Sequence, residues 1–354
     1  MKALLAHLAS AFLYYTGFIR LLRFLGRHNA KILLYHSVSE DKGLAGGPGN
    51  CVPPSLFFKH MDYVVKHYRI VSLDQLVEAL ERGTLPSRAA VITFDDGFAD
   101  NFHHAYPFFK ERMIPATIFL AMKPLTSGKP LWVQELHYLT GRFGSRSVAE
   151  KLGTIAGNRE ITPSAGQHGA EITTLKALEG YLAYSVNKDR RDEILDVLYR
   201  EFAVLREGAL SGQKPYLDWD QVQQMHADGI SFGNHGMSHT SFASMPLDEQ
   251  EKEIRDSKKS MDQHLPMAFI PFSYPFGQAR DFTPETESLV KRAGHHCILT
   301  AMPTLNGPGT TPYRLGRIPL GSIPVFRLAF ELEKGVLKKL LRRETAKPAC
   351  TRST

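Results

Sequence analysis

The stretch VITFDDGFADN, Val91–Asn101, places two adjacent carboxylates directly after an apolar run and directly before a glycine. The run Ala89–Phe94 predicts a buried strand. Asp95 and Asp96 therefore follow the end of that strand, and Gly97 favours a turn. Like charges side by side repel each other unless something neutralises them. Two interpretations fit the stretch by itself: a polar turn, or a metal site with a base beside it.

Short apolar runs alternate with amphipathic stretches in much of the chain, which predicts βαβ units and an α/β fold. The predicted strands are Lys31–Tyr35, Ala89–Phe94, Ala116–Ala121, Ile230–Gly233, Phe269–Tyr274 and His296–Thr300. The predicted helices are Ser55–His67, Leu73–Arg82, Phe102–Arg112, Trp219–Ala227, Leu247–Leu265 and Pro284–Ala293. Strands joined through helices run parallel and form a sheet or a barrel, with the functional site at the strand C-termini.

Residues 124–215 interrupt this alternation, because they show helical patterns and no strand pattern. We expect them to form a helical insertion in one α/β domain that spans residues 31–322. Residues 1–30 are predicted to precede that domain as an apolar and basic amphipathic helix. Residues 323–354 are predicted to follow it as a basic helix and a tail.

The composition indicates a folded protein with a moderate excess of positive charge. The chain has 354 residues, 43% of them hydrophobic, and a formal net charge of +7. Such a charge is compatible with a membrane surface or an anionic polymer. No zinc-finger, homeodomain or RNA-binding signature is visible, so nucleic acid is not an expected partner. Cys51, Cys297 and Cys350 are scattered and odd in number, which indicates neither a disulfide framework nor a thiolate metal site.

Both ends of the chain combine apolar and basic residues. Phe18–Leu25 alternates apolar residues with arginines, which is typical of an interfacial helix with snorkelling arginines. The C-terminal segment carries a helical stripe of Leu328, Leu332, Val336 and Leu340 with lysines and arginines elsewhere. That stripe fits a helix that packs on the domain and keeps a solvated basic face. The alternative hypothesis is that both basic ends touch an anionic membrane.

Two further polar segments follow predicted strands. His235 and His239 in GISFGNHGMSHTSF are four residues apart, and their imidazoles can converge on one ion if the segment turns. FIPFSYPFG ends a strand in Tyr274, Pro275, Phe276 and Gly277, where proline and glycine fix a corner in the backbone.

Asp96, His235 and His239 together would supply one carboxylate and two nitrogens to a cation, leaving positions for water and substrate. The cation would lower the pKa of a bound water, and Asp95, turned away from the metal, would accept the proton as general base. The cation also removes the objection to two adjacent carboxylates. We expect a divalent metal, with Zn²⁺ favoured over Co²⁺ or Ni²⁺.

The motifs TFDDG, HGMSH and SYPFG, in this order, resemble the first three motifs of the NodB-type polysaccharide deacetylases, carbohydrate esterase family 4. The flanking stretches ILLYHSVSE and YPFFKERMIPATIFL fit as well, and the resemblance covers roughly residues 31–320 apart from the insertion. It implies a distorted (β/α) barrel and metal-dependent hydrolysis of N-acetyl groups on amino-sugar glycans. It also implies that Asp95 is the base and that Asp96, His235 and His239 hold the metal.

The resemblance further implies a groove wall at Tyr274, Pro275, Phe276 and Gly277, with the Phe276 N–H as oxyanion donor. Arg317 is grouped with these substrate-binding residues; Arg314 and Arg317 can alternatively orient Asp95 through an ion pair or form surface salt bridges.

Two departures from the family pattern change the expected site. The arginine ahead of the proline in the third motif is replaced by Phe272 or Ser273, and the late Leu-x-His motif that supplies the general acid is missing. The branch that acts on poly-β-1,6-N-acetylglucosamine is similar in carrying Tyr-His before the first motif. By that resemblance His36 is the candidate acid. The alternative is a structural histidine at a strand end whose ring is satisfied by hydrogen bonds to the protein.

The expected function is metal-dependent N-deacetylation of an N-acetylglucosamine-containing polysaccharide or lipid-linked glycan. The expected location is at a membrane, peripheral or anchored through the N-terminus, in a bacterial cell envelope or on the cytoplasmic face. An O-acetyl glycan esterase and a carbohydrate-binding protein without turnover are the alternatives. Trp132 fits either a ring that stacks on a sugar or a core residue of the insertion, and Asp100 and Asn101 fit a groove lining or a solvated helix start.

Overall fold

The computed structural model describes residues 2–40, 47–155, 174–206 and 214–345. Its strands are β1 Lys31–Tyr35, β2 Ser37–Val38, β3 Cys51–Val52, β4 Arg69–Ile70, β5 Ala89–Phe94, β6 Thr117–Leu120, β7 Ser231–Asn234, β8 Pro271–Ser273, β9 Cys297–Thr300, β10 Leu315–Gly316 and β11 Ile318–Pro319. Its α-helices are α1 Lys2–Tyr15, α2 Phe18–Leu25, α3 Gly47–Asn50, α4 Pro54–His67, α5 Leu73–Glu81, α6 Tyr106–Arg112, α7 Met122–Ser127, α8 Trp132–Phe143, α9 Ser145–Ile155, α10 Leu175–Tyr184, α11 Lys188–Glu201, α12 Trp219–Ala227, α13 Leu247–His264, α14 Pro284–Arg292 and α15 Val325–Thr345.

Every predicted strand and helix of the α/β domain is present, with small shifts at the ends. The main difference is at the predicted helix Phe102–Arg112, which begins as a π-helical turn over Asn101–Ala105 before α6. The short strands β2, β3, β4, β10 and β11 were not predicted, because two residues carry no recognisable alternation.

A parallel sheet curls into a nearly closed barrel with strand order β10-β9-β8-β7-β6-β5-β1-β11, and β4 pairs with β5 beside this path. β10 pairs with β9 through Leu315 and Leu299, whereas β11 pairs with β1 through Ile318 and Leu33. Because Arg317 alone separates β10 from β11, one short segment meets both edges of the sheet. The predicted distorted (β/α) barrel is therefore confirmed, and Arg317 lies where it closes.

The insertion lies between β6 and β7 and contains α8 to α11. These helices pack around an apolar cluster of their own, which includes Trp132, Leu136, Leu182 and Leu195. Phe276 from the barrel packs against the same cluster. Residues 156–173 and 207–213 of the predicted insertion lie outside the described residues. The insertion therefore borders the end of the barrel where strand β8 leads into Phe276.

The two chain ends pack on the barrel. Residues 1–30 were predicted as one helix, but α1 and α2 are separate, with Gly17 in the left-handed region between them. In α15, Leu328, Leu332 and Val336 are buried in the same apolar cluster as the barrel strands. The apolar stripe of the C-terminal helix therefore packs on the domain, which agrees with the interpretation of a packed helix with a solvated basic face.

Arg23 does not snorkel as predicted, because it lies in a buried polar cluster around Glu333. The Lys31 ammonium lies 3.1 Å and the Arg23 Nε 3.9 Å from the Glu333 carboxylate. The Tyr68 hydroxyl donates to the same carboxylate at 2.6 Å, and Arg23 also donates to the Tyr63 hydroxyl. One carboxylate thus faces two buried cations and connects α2, β1 and α15.

We predict that Glu333→Gln lowers the free energy of unfolding by about 3–5 kcal/mol, because it leaves the buried Lys31 and Arg23 without a counter-charge. Urea denaturation of the purified protein measures this change. The matched control is Glu331→Gln on the same helix, which loses pairs with Arg327 and Lys334 nearer the surface and should cost about 1 kcal/mol or less. Equal costs for the two variants would contradict the prediction.

Candidate active site

The turn after β5 separates the two adjacent carboxylates. Asp96 and Gly97 both have left-handed backbone, with φ of +75° and +76°. A Cβ at residue 97 would also lie 2.8 Å from the Leu120 Cδ2, so glycine is favoured there by both conformation and space. Asp95 consequently faces Arg317, whereas Asp96 faces the two histidines of the second motif. The turn and the cation site are compatible, since the turn is what directs Asp95 and Asp96 apart.

Arg317 holds Asp95 through a bidentate ion pair. Its Nη1 and Nη2 each donate to one Asp95 oxygen at 2.7 Å, Nη2 also donates to the Ser273 Oγ, and Nε donates to the Thr300 carbonyl. Burial raises the pKa of Asp95, but Arg317, together with smaller contributions from His235 and His36, holds that pKa below its ordinary value. Asp95 therefore stays a carboxylate, the form that a general base requires.

The assignment of Arg317 to substrate binding does not fit the structure. Its side chain is 0% exposed, and its guanidinium is directed at groups of the protein. The alternative interpretation, an ion pair that orients Asp95, describes the geometry of Arg317. Arg314 instead forms a surface pair with Glu287 at 2.9 Å.

Asp96, His235 and His239 converge. The Asp96 Oδ1 lies 3.2 Å from the His239 Nε2 and 3.5 Å from the His235 Nε2. The His235 Nδ1 donates to the Ser273 carbonyl at 2.8 Å, which directs its Nε2 towards Asp96. Hydrogen bonding at one ring nitrogen commonly orients the other nitrogen for a metal.

These three side chains fit a divalent cation. The ligand atoms lie within 4.8 Å of one another, and all three residues are buried. Among the described residues, the buried Asp96 Oδ1 accepts no hydrogen bond, which leaves an anionic oxygen available to a cation. Burial raises the pKa of Asp96, but His239 and His235 outweigh it and hold that pKa well below its ordinary value. One carboxylate and two imidazoles form a donor set that suits Zn²⁺.

Trp132 of the insertion holds the backbone of His239. His239 has left-handed backbone, with φ of +54°, and its carbonyl accepts a 2.9 Å hydrogen bond from the indole Nε1. Arg191 lies over the Trp132 ring at 4.6 Å and donates to the Thr240 Oγ1 at 2.7 Å. Trp132 is 1% exposed, so it is a core residue and does not stack on a sugar.

Glu253 of α13 holds the same loop from another element. Its carboxylate accepts from the Met237 and Ser238 backbone N–H groups at 3.1 and 3.0 Å, and Lys188 of the insertion pairs with it at 3.1 Å. Nothing in the local sequence signalled these contacts of Trp132, Arg191 and Glu253. The loop that carries both histidines is therefore preorganised by elements distant in the chain.

We predict that Trp132→Phe weakens binding of Zn²⁺ by roughly 10–100-fold, because the His239 carbonyl loses its donor and the loop loses its fixed conformation. Competition with a chelator of known affinity measures the change. Trp219→Phe is the matched control, since Trp219 stacks on His264 at the end of α13. An affinity that stays within threefold of the wild-type value in Trp132→Phe would contradict the prediction.

The third motif contributes mainly backbone and packing. Tyr274 is buried and stacks on Phe282, and Pro275 and Gly277 are buried as well. Because these three residues are buried, their side chains do not line the predicted groove wall. Phe276 is half-buried with φ of +60°, and its ring lies 4.9 Å from the His239 ring. Within the described part of the chain, the Phe276 N–H donates no backbone hydrogen bond, in contrast to those of Tyr274 and Gly277.

His36 follows β1 at the same end of the barrel and is half-buried. Asn101, in the π-helical turn, donates to the His36 carbonyl at 2.9 Å. Asp100 accepts from the Ser37 hydroxyl and from the Val38 N–H. Asp100 and Asn101 thus hold the His36 segment, instead of lining a groove or forming a solvated helix start. Burial lowers the pKa of His36, although Asp96 and Asp95 act in the opposite direction.

Comparisons with known sequences identify the family of the chain. The sequence model of the family described as "Polysaccharide deacetylase" matches residues 82–147 and 186–298. YxkH of Bacillus subtilis (strain 168), named for the same family, is 22% identical over 289 residues, which cover 81% of this chain and 70% of that protein. The family match includes Asp95, Asp96, His235, His239 and Phe276.

Solved structures share the fold. IcaB from Ammonifex degensii has a TM-score of 0.54 and 17% identity, with 87% of this chain and 97% of that chain covered. The deacetylase PplD of Streptococcus pyogenes, solved in complex with acetate, has a TM-score of 0.52 and 17% identity, with coverage of 88% and 97%. The barrel, the three motifs and the family match lead to one conclusion: the chain belongs to the polysaccharide deacetylase family.

Proposed function

We propose that the protein is a metal-dependent N-deacetylase acting on an N-acetylglucosamine-containing polysaccharide or lipid-linked glycan. The observation that carries the proposal is the ionised Asp95, locked by Arg317 beside the Asp96, His235 and His239 triad. A binding protein has no need for a buried base next to three metal-ligating side chains. The geometry therefore favours hydrolysis over binding without turnover.

A divalent cation, Zn²⁺ by the donor set with Co²⁺ and Ni²⁺ as alternatives, would be held by Asp96, His235 and His239 and would supply Lewis-acid chemistry. Asp95 accepts the proton of the water that attacks the acetyl carbonyl. We assign the Phe276 N–H, which donates no backbone hydrogen bond within the described residues, as donor to the oxygen that becomes negatively charged. The bond between carbonyl carbon and nitrogen then breaks, which yields acetate and a free amine on the sugar.

We assign the protonation of the departing amine to His36. An amide nitrogen is a poor leaving group until it is protonated, whereas the aryloxide of an activated aryl ester leaves readily without an acid. His36 directly follows Tyr35, whose carbonyl accepts from the Asp95 N–H at 3.0 Å, and Asn101 holds the His36 backbone. The acid of this reaction is therefore supplied from the first strand and not from a late histidine motif.

We predict that His36→Ala lowers kcat for amide substrates by about 10²–10⁴-fold and changes kcat for an activated acetyl ester much less. Initial rates with an N-acetylglucosamine oligomer and with an aryl acetate measure the difference. His103→Ala is the matched control, since His103 is exposed on the neighbouring helical turn. An unchanged kcat for the amide in His36→Ala would remove the acid assignment.

Acetate release tests the proposed function. Purified protein, with and without added Zn²⁺, is incubated with β-1,4- and β-1,6-linked N-acetylglucosamine oligomers and with an O-acetylated xylo-oligosaccharide. Release of acetate from the amide substrates that requires the metal is the expected result, and the linkage preference identifies the glycan. Release from the ester alone would establish the O-acetyl esterase, and glycan binding without any release would establish the binding protein.

A further inference from the structure

Helices α1 and α2 together expose seven large apolar side chains. This α1–α2 face consists of Leu8, Phe12, Tyr15, Phe18, Leu21, Phe24 and Leu25. Phe12 is 67% and Tyr15 is 78% exposed, which is unusual for side chains of this size. Among the described residues, no single helix has the length and apolar character to cross a membrane; Ala6–Tyr15 and Phe18–Leu25 meet the criteria only as a pair bent by 85°.

The exposed residues form one side of each helix. In α2, Ile19, Leu22 and Arg23 are buried against the protein, whereas Phe18, Leu21 and Leu25 recur at intervals of three and four residues on the outer side. In α1, Leu8, Phe12 and Tyr15 recur at the same intervals. Each helix therefore has apolar residues on two sides. One side packs against the protein, and a second apolar stripe faces outward.

Positive charge borders this face. Residues 1–39 contain no aspartate or glutamate. Arg20 is exposed beside the stripe of α2, and Arg27 lies over the Phe24 ring at 4.3 Å. Lys338 and Lys339 are exposed on α15, the helix against which α1 and α2 pack. An apolar stripe with cations at its rim is the pattern that binds an anionic lipid surface.

We propose that the α1–α2 face docks the protein on an anionic lipid bilayer. Phe12, Tyr15 and Phe24 enter the boundary between headgroups and acyl chains, and the neighbouring arginines contact lipid phosphates. The face is distinct from Asp95 and the triad, so this inference holds whichever acetylated glycan is the substrate. A second copy of the chain is the competing occupant, and the charge at the rim disfavours it because like charges would meet across a symmetric interface.

Co-sedimentation of the full chain with vesicles tests the proposal. The vesicles contain phosphatidylcholine with or without phosphatidylglycerol, and the variant is Phe12→Ser/Phe24→Ser. The matched control is Met113→Ser/Leu205→Ser, which removes two exposed apolar side chains elsewhere. We expect preferential binding to the anionic vesicles, weakened by salt, at least about tenfold weaker in the variant and unchanged in the control.

Three results would overturn the proposal: no binding to vesicles, equal binding to neutral and anionic vesicles, or binding that is unaffected by Phe12→Ser/Phe24→Ser. Sedimentation velocity without lipid tests the competing occupant. A dimer that is abolished by Phe12→Ser/Phe24→Ser would assign the face to a second copy of the chain and overturn the proposal. Circular dichroism of both double variants verifies that they are folded. The readout is binding, so it remains interpretable even if the proposed deacetylation fails.

Discussion

Asp95→Asn is expected to lower kcat for deacetylation by about 10²–10⁴-fold, because the amide cannot accept the proton of the attacking water. The substitution preserves the shape of the side chain and keeps one oxygen that can accept from Arg317. Asp96, His235 and His239 are untouched, so binding of the metal is expected to persist. Steady-state kinetics on the best N-acetylglucosamine oligomer, with metal content determined on the same preparation, measure the effect.

Asp95→Asn also removes the ion pair with Arg317, so the stability of the variant must be measured as a control. Arg317 is fully buried, and removal of its counter-charge is expected to destabilise the protein by up to about 3–5 kcal/mol. Denaturation curves therefore accompany the kinetics, and rates are measured well below the unfolding transition. A folded, metal-loaded Asp95→Asn protein that retains wild-type kcat would exclude Asp95 as the base.

Asp96→Asn, one residue further along the chain, is expected to abolish both binding of the metal and activity. The substitution removes the anionic ligand, and the loss of Zn²⁺ affinity should exceed the roughly 10–100-fold typical of a residue that only orients a ligand. Asparagine tolerates the left-handed backbone found at residue 96, with φ of +75°, so the turn is expected to survive. Isothermal titration with Zn²⁺ measures the affinity.

The two adjacent variants form a matched pair, since each exchanges one carboxylate for an amide at neighbouring positions. The proposed division of labour requires Asp95→Asn to bind the metal without turnover and Asp96→Asn to lose the metal first. Full Zn²⁺ affinity in Asp96→Asn would contradict the assignment of the triad. Loss of metal in Asp95→Asn alone would reverse the two assignments.

The local sequence was sufficient to predict the six longer strands of the barrel and the convergence of the site, but not the short strands β4, β10 and β11. Ala89–Phe94 is a strand as predicted, and the segments after β5, β7 and β8 all carry unusual polar or turn-forming residues. Parallel strands place their C-terminal ends at one edge, so residues as distant as Asp96 and His239 could be expected to meet. The motifs then indicated the family that the comparisons show.

Only the tertiary structure decided which groups support that site. Arg317 reaches Asp95 across 222 residues because β10 and β11 close the barrel at its position. Trp132 reaches the His239 carbonyl across 107 residues because the insertion packs on the histidine loop. Such partners leave no periodic or spacing signal in the chain, since hydrogen bonds between remote segments depend on how complete elements pack.

The same distinction applies to the chain ends. Their apolar and basic composition was evident from the sequence, and it predicted helices there. Arg23 is buried beside Glu333 because its side of α2 packs against the protein. Phe12 and Phe24 are exposed because their sides of α1 and α2 do not. Composition and periodicity determine that a helix has an apolar side, whereas the packed neighbours determine which side remains for another surface.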